Sequence, residues 1–366
     1  MLAKNVAYFI SPHGFGHAAR ACAVIEALHQ LDPTIEFHLY TRAPRWFFDL
    51  SLPFGYHYHD VLTDIGLVQR SPLQEDLAAT LERLEHFIPF SPELLAGLAQ
   101  DLRANDCQVV VCDISPLGIA AARQAGLPSV LVENFTWDWI YSGYLDAEPR
   151  LERFIAEFQS LFQSAGAHIQ TTPFCVSDSQ AALVTAPVSR RPRASQAKVR
   201  QLLAIPPGVQ MVLLSMGGIE LHFEFLDRLA NLKNIWFVIP GGAESYSLRQ
   251  NLVLLPHHSD YYHPDLLHAA DAVISKAGYS TISEAFYAGI PYGYVSRTLF
   301  REAPVLSKFI QQNMAGSEID GETFQSGNWV GSIQALLRMP RFKRIGPDGS
   351  QQIARFLYEN YLCSSR

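Results

Sequence analysis

Short apolar runs alternate along the chain with stretches whose apolar residues recur at helical spacing. Val6–Ser11 predicts a buried strand leading into the loop Pro12-His13-Gly14-Phe15-Gly16-His17. From Ala18 to about Leu31, the residues Val24, Ile25, Leu28 and Leu31 share one helical face. Phe37–Thr41 predicts the next strand, Ala43–Leu50 an aromatic helix or turn, and Asp76–Leu102 helix broken near Pro89 and Pro92. Val109–Cys112 is a wholly apolar strand ending on Asp113, followed by a helix over Ile119–Ala125, a stop at Gly126 and a strand over Ser129–Val132. This alternation predicts an α/β domain with a parallel sheet.

The pattern breaks at Ala186–Ala194 (APVSRRPRA), which has two prolines, three arginines and no apolar period. It then restarts: a strand over Met211–Ser215, a turn at Met216-Gly217-Gly218, a helix over Glu224–Leu232, and strands at Ile235–Ile239 and Leu252–Leu255. Ala272–Ser275 predicts a further strand, followed by a turn, a helix opening at Tyr279-Ser280-Thr281 and closed by Gly289-Ile290-Pro291, and a second apolar strand. Gly349–Leu362 predicts a last helix. The expected division is therefore 1–185, 186–348 and a terminal segment 349–366.

Composition narrows the class without naming a function. A chain of 366 residues has room for two ordinary domains, and with 48% apolar residues it folds. A net charge of -7 with no basic run argues against nucleic acid as the main partner. Cys22, Cys107, Cys112, Cys175 and Cys363 form no CxxC or regular framework, which fits reduced thiols in a cytoplasmic protein. No apolar run reaches the length of a membrane-spanning helix, although peripheral membrane contact stays open.

The chemistry concentrates at two helix starts. Around Ser280, unpaired backbone N–H groups and the positive helix end suit a phosphate. Ser280 and Thr281 add hydroxyl donors, and Glu284 offers a carboxylate fork for two neighbouring sugar hydroxyls. The same residues also fit a plain crossover with a capping box. At the other start, His17 could take a proton from a hydroxyl; His13 competes for that role. Taken singly, His17 also fits a capping histidine and Asp113 a strand-end turn. Asn134–Tyr144 (NFTWDWIYSGY) is either core packing or, through Trp137 and Trp139, a wall for an acceptor. His257, His258, His263 and His268 match no standard ligand spacing, so no metal is expected.

The stretch SKAGYSTISEAFYAGIPYGYV resembles the donor-binding signature of GT-B glycosyltransferases. It is closest to the branch related to the lipid-linked GlcNAc transferase, and to the glycosyltransferase-like part of plant arabinose kinases. The loop HGFGHAAR is similar to the loop that opens such enzymes. The resemblance implies two Rossmann-like domains facing across a cleft, an acceptor domain followed by a donor domain, with the last helix returning to the first. It implies a metal-independent, inverting sugar transfer from a UDP-sugar, as substrate and with no cofactor, to a small-molecule, lipid-linked or glycan acceptor. Donor contacts would come from Gly217, Gly218, Lys276, Gly278, Tyr279, Ser280, Thr281, Glu284, Arg297 and Glu302, and base contacts from Leu255 and His257. His17 and Asp113 would be catalytic, in a loop with His13, Gly14 and Gly16. Ala303 stands where many relatives have Gln, which leaves the donor sugar open, and Lys276 stands where many have Arg.

Other functions compete. Gly14-Phe15-Gly16-His17-Ala18-Ala19 also satisfies G-x-G-x-x-A, and Arg42 ends the next strand where an NADP 2′-phosphate could sit. A sugar-nucleotide epimerase or a non-catalytic nucleotide-sugar-binding regulator would keep the fold.

Overall fold

In the computed structural model, which describes residues 4–71, 74–216, 225–296, 300–342 and 344–363, the chain divides into two units, Met1–Ser189 with Pro347–Arg366, and Arg190–Gly346. In the first unit the strands are β1 (Lys4–Ile10), β2 (Ile35–Thr41), β3 (His57–Asp60), β4 (Gln69–Ser71), β5 (Gln74–Glu75), β6 (Cys107–Asp113), β7 (Ser129–Glu133), β8 (Ala167–Thr171) and β9 (Leu183–Thr185). All but β4 and β5 join one parallel sheet in the order β3-β2-β1-β6-β7-β8-β9. Val6–Ile10 and Val109–Cys112 are fully buried, as central strands covered on both faces must be. Their strand ends meet in register at Ile10 and Asp113.

The second unit repeats the plan with β10 (Gln210–Ser215), β11 (Ile235–Pro240), β12 (Ser247–Arg249), β13 (Leu252–Leu255), β14 (Ala272–Lys276), β15 (Tyr292–Val295) and β16 (Gly316–Ile319). Their order is β12-β13-β11-β10-β14-β15-β16, with only β12 antiparallel to its neighbour among the described pairings.

Several elements depart from expectation. The first helix begins at Phe15, three residues early, because Gly14 turns the chain at φ 74°. His17 therefore lies within the first helical turn. A helix not expected from the apolar pattern spans Ala303–Asn313, with Glu302 buried just before it. The helix expected from Glu224 is described as Leu226–Ala230. Gly217, Gly218 and Arg297 lie outside the described residues. The last helix, Gly349–Leu357, packs on the Phe15–Leu31 helix within the first unit. No helix among the described residues is long and apolar enough to cross a membrane.

Gly289 closes the Tyr279–Ala288 helix at φ 65°, where an added Cβ would lie 1.9 Å from the Phe342 carbonyl oxygen. Gly289→Ala should cost about 1–3 kcal/mol through left-handed strain alone, before that clash. Urea unfolding checks this, and an unshifted midpoint would contradict it.

Candidate functional site

In the first unit, the apolar strand β1 delivers the chain to Ser11, and the Pro12–Gly14 turn, closed by the Gly14 amide on the Pro12 carbonyl at 2.9 Å, starts the helix. His17 and Arg20 stand three residues apart, so both side chains lie on one helical face. That face meets Asp113 at the end of neighbouring β6. His17 Nδ1 lies 2.8 Å from Asp113 Oδ1. Arg20 donates to the same carboxylate twice, Nη2 to Oδ1 and Nε to Oδ2, each at 2.7 Å. Its Nη1 donates to Asn134 Oδ1 at 2.5 Å. All four residues are buried.

Burial would raise the Asp113 carboxyl, but the Arg20 guanidinium and the His17 hydrogen bond hold it below its ordinary value. For His17 burial dominates and its pKa falls below the usual 6.5, despite the pull of Asp113. The result is a charged carboxylate beside a neutral imidazole. Asp113 accepts the Nδ1 proton, so the lone pair sits on Nε2. The next residue, Ile114, adopts φ 46°, a strained conformation for a β-branched residue. Such strain is found where a strand end must place a side chain.

His13 is built differently. Its Nε2 lies 3.1 Å from the Leu67 carbonyl oxygen and so donates its proton there. Gly66, at φ 62°, leaves room for the ring, because a Cβ there would come within 2.6 Å of it. His13 is thus a clamp on the 66–67 segment. Gly14 and Gly16 are exposed beside it.

Trp137 does not provide an open aromatic wall. It is fully buried, donates from Nε1 to Asp64 Oδ2 at 3.2 Å, and stacks on Tyr141. An indole whose N–H can be satisfied inside the core packs there. Trp139 is half-buried. Asp64 itself is fully buried, and burial lifts its carboxyl to about 7 even with the Ser11 and Trp137 hydrogen bonds. Arg20, Asn134 and Asp64 were not singled out in the sequence reading. An arginine three residues past a candidate base was the available signal for Arg20.

In the second unit, the helix starts at Tyr279 after Gly278, an N-cap residue that has no side chain to cap with. Ser280 is 9% exposed, Tyr279 is buried, and Thr281, Gly278 and Lys276 are half-buried. Glu284, one turn in, is not held open for sugar hydroxyls. Its Oε1 accepts from Arg190 Nε and Nη2, each at 2.9 Å, and its Oε2 lies 2.8 Å from His263 Nδ1. His263 Nε2 continues to Ser215 Oγ at 3.1 Å. Burial works against the Glu284 charge, yet Arg190 and His263 keep the carboxyl below its ordinary value. Leu255 also departs from expectation: it has no exposed surface and packs in the core of the sheet. His257 is exposed.

The glycosyl transferase family 1 model matches residues 4–329. The chain belongs to glycosyl transferase family 1. It is 29% identical to an L-arabinokinase of Arabidopsis thaliana over 359 residues, which covers 96% of this chain and 34% of that one. The chain therefore spans about a third of that relative's length. Among solved structures it is similar to the spinosyn forosaminyltransferase SpnP, with a TM-score of 0.61 at 16% identity, over 98% of this chain and 95% of that one. It is also similar to the glycosyltransferase VinC in complex with dTDP (0.60, 16%, 98% and 96%). A third is MurG of Acinetobacter baumannii (0.56, 15%, 97% and 99%). The two-sheet α/β architecture of this family member is thus the GT-B fold.

The Arg190–Glu284 pair gives a stability prediction. Removing one partner of a buried pair leaves the other charge uncompensated, so Arg190→Ala should cost about 3–5 kcal/mol. The Glu284 pKa is depressed, so the pair's contribution is present above the ordinary 4.5 and is lost as pH falls through the folded value. Denaturation of both proteins should show their gap narrowing in acid. A gap that widens there would contradict the assignment.

Proposed function

We propose that this glycosyltransferase moves a sugar from a nucleotide diphosphate donor, most simply a UDP-sugar, to an acceptor hydroxyl with inversion. The observation that carries this reading is the hydrogen bond from buried His17 to Asp113. His17 Nε2 takes the acceptor proton, and the acceptor oxygen attacks the anomeric carbon from the face opposite the diphosphate. The bond from that carbon to the β-phosphate oxygen breaks, and its electron pair leaves with the diphosphate. Asp113 steadies the imidazolium that forms. Charge growing on the β-phosphate is met by the helix start at Ser280 and Thr281, whose backbone N–H groups and dipole favour an anion. On this reading the phosphate charge is met by protein groups, with no metal assigned to it. Glu284 acts here by fixing its helix against Arg190 and His263.

A second reading has one observation behind it. The relative from Arabidopsis thaliana is named an L-arabinokinase, and this chain matches only a third of it. A nucleotide-sugar-binding part that performs no transfer would fit that relationship. Incubating the protein with UDP-sugars and varied acceptors, and measuring both UDP release and sugar-bearing product, separates the two. Tight nucleotide binding with no product from any acceptor would favour the second reading.

His17→Ala should lower turnover by about 10²–10⁴-fold, the range for a positioned general base. Nucleotide affinity should be unchanged, because the imidazole meets the acceptor. A general base must be neutral, and the His17 pKa lies below 6.5, so the acid limb of kcat/KM should fall at a pH below that value. His13→Ala should spare that limb. If His17→Ala retains full turnover, the base is misassigned. Asp113→Asn is a weaker test, since it also strips Arg20 of its counterion.

A further inference from the structure

Away from both helix starts, the edge of the first sheet carries an unusual concentration of imidazoles. Strand β3 is the edge, and it pairs in parallel with β2 so that His57 lies opposite His38 and His59 opposite Tyr40. Alternation along β2 puts Glu36 on the same face as His38 and Tyr40. The rings stack in register, His38 on His57 with centroids 4.5 Å apart and Tyr40 on His59 at 4.2 Å. One nitrogen or oxygen each from Glu36, His38 and His57 falls within 4.8 Å of the other two.

We propose that Glu36, His38 and His57 bind a divalent transition-metal ion of the zinc class, which staples edge strand β3 to β2. Two imidazoles and a carboxylate are a ligand set such ions accept, with water in the fourth position. Bonds of about 2.0–2.2 Å in a tetrahedron separate the ligand atoms by roughly 3.4 Å. His57 Nε2 and Glu36 Oε2 are already 3.6 Å apart. Both side chains are more than half exposed, so they can close on the ion without disturbing the core.

His38 is the buried anchor, and its ring is oriented from behind. Its Nδ1 lies 3.3 Å from His59 Nε2, and His59 Nδ1 lies 3.5 Å from Asp101 Oδ2. The Tyr40 hydroxyl fixes Asp101 by donating to it at 2.5 Å. With the His59 proton on Nδ1, the nitrogen that faces the Asp101 carboxylate, His59 Nε2 accepts from His38 Nδ1–H. The lone pair of His38 is then on Nε2. Metal-bound histidines are held in this way by a partner on the other ring nitrogen. His168 shows the contrast, since both its nitrogens face carboxylates, Glu133 and Asp178, and no lone pair is left for an ion.

The test uses the full chain, treated with chelator and then titrated with zinc chloride in a calorimeter. One equivalent should bind, and Co²⁺ in its place should give the visible absorption of a tetrahedral site that Zn²⁺ then displaces. His57→Ala and Glu36→Gln alter exposed side chains and should fold, as circular dichroism verifies. Each should remove that equivalent. His59→Gln, a positioning change, should weaken it by about 10–100-fold. Absence of a one-equivalent site in the unaltered chain overturns the proposal. So does an equivalent that persists in both His57→Ala and Glu36→Gln, because the ion is then held elsewhere.

Discussion

A carboxylate at the inner end of an apolar strand has to be neutralised where it stands, and both units are built on that constraint. Asp113 ends β6 with no exposed surface, and Glu284 lies inside the first helix turns after β14 with 5% exposure. Without a cation within reach each would be pushed toward its protonated form, as burial does to Asp64, because a lone buried charge costs several kcal/mol. Each is given an arginine and a histidine: Arg20 and His17 for Asp113, Arg190 and His263 for Glu284. Arginine suits this place better than lysine, since its planar fork engages a carboxylate through two N–H groups and sheds water more readily.

The division of charge in the first triad decides what the histidine can do. Arg20 already balances Asp113, so the pair as a whole is nearly neutral. The carboxylate therefore raises the His17 pKa less than burial and Arg20 lower it. That leaves a weaker base than an isolated histidine–aspartate pair would give, but one that is unprotonated at neutral pH. A base that is always in its active form loses some driving force for each proton transfer and gains in the fraction of molecules ready to react. The Asp113 hydrogen bond retains its second purpose, holding the tautomer with Nε2 unprotonated.

The two-sheet architecture was legible because central parallel strands must be apolar throughout: Val109–Cys112, Leu252–Leu255 and Ala272–Ser275 can be read directly. Edge strands were not. His57-Tyr58-His59-Asp60 and Gly316-Ser317-Glu318-Ile319 are polar because one side of an edge strand faces water, and so they carry no apolar run. The end of the Tyr279 helix is legible from cap chemistry, in the glycine stop at Gly289, whereas its start has only Gly278 at the cap position. The state of Glu284 is not legible, since its partners Arg190 and His263 lie 94 and 21 residues away in sequence. Trp137 was ambiguous for a related reason. An aromatic residue after a strand looks the same in sequence whether its ring faces solvent or finds Asp64.

The segment 186–194 shows how composition misleads when a charged residue is needed inside. Two prolines and three arginines read as a solvated connector, yet Pro187, Val188, Ser189 and Arg190 are all buried. On the first unit's side, the Ala186 amide donates to Gln352 and the Gly349 amide to the Pro187 carbonyl. On the second unit's side, Arg190 reaches Glu284, while the Arg193 and Ala194 amides donate to Asp265. Proline fits such a pinned path, since it has no amide hydrogen to satisfy and little backbone freedom to lose. The arginine at 190 is there because a buried carboxylate ninety residues later requires it, and nothing local in the sequence could announce that need.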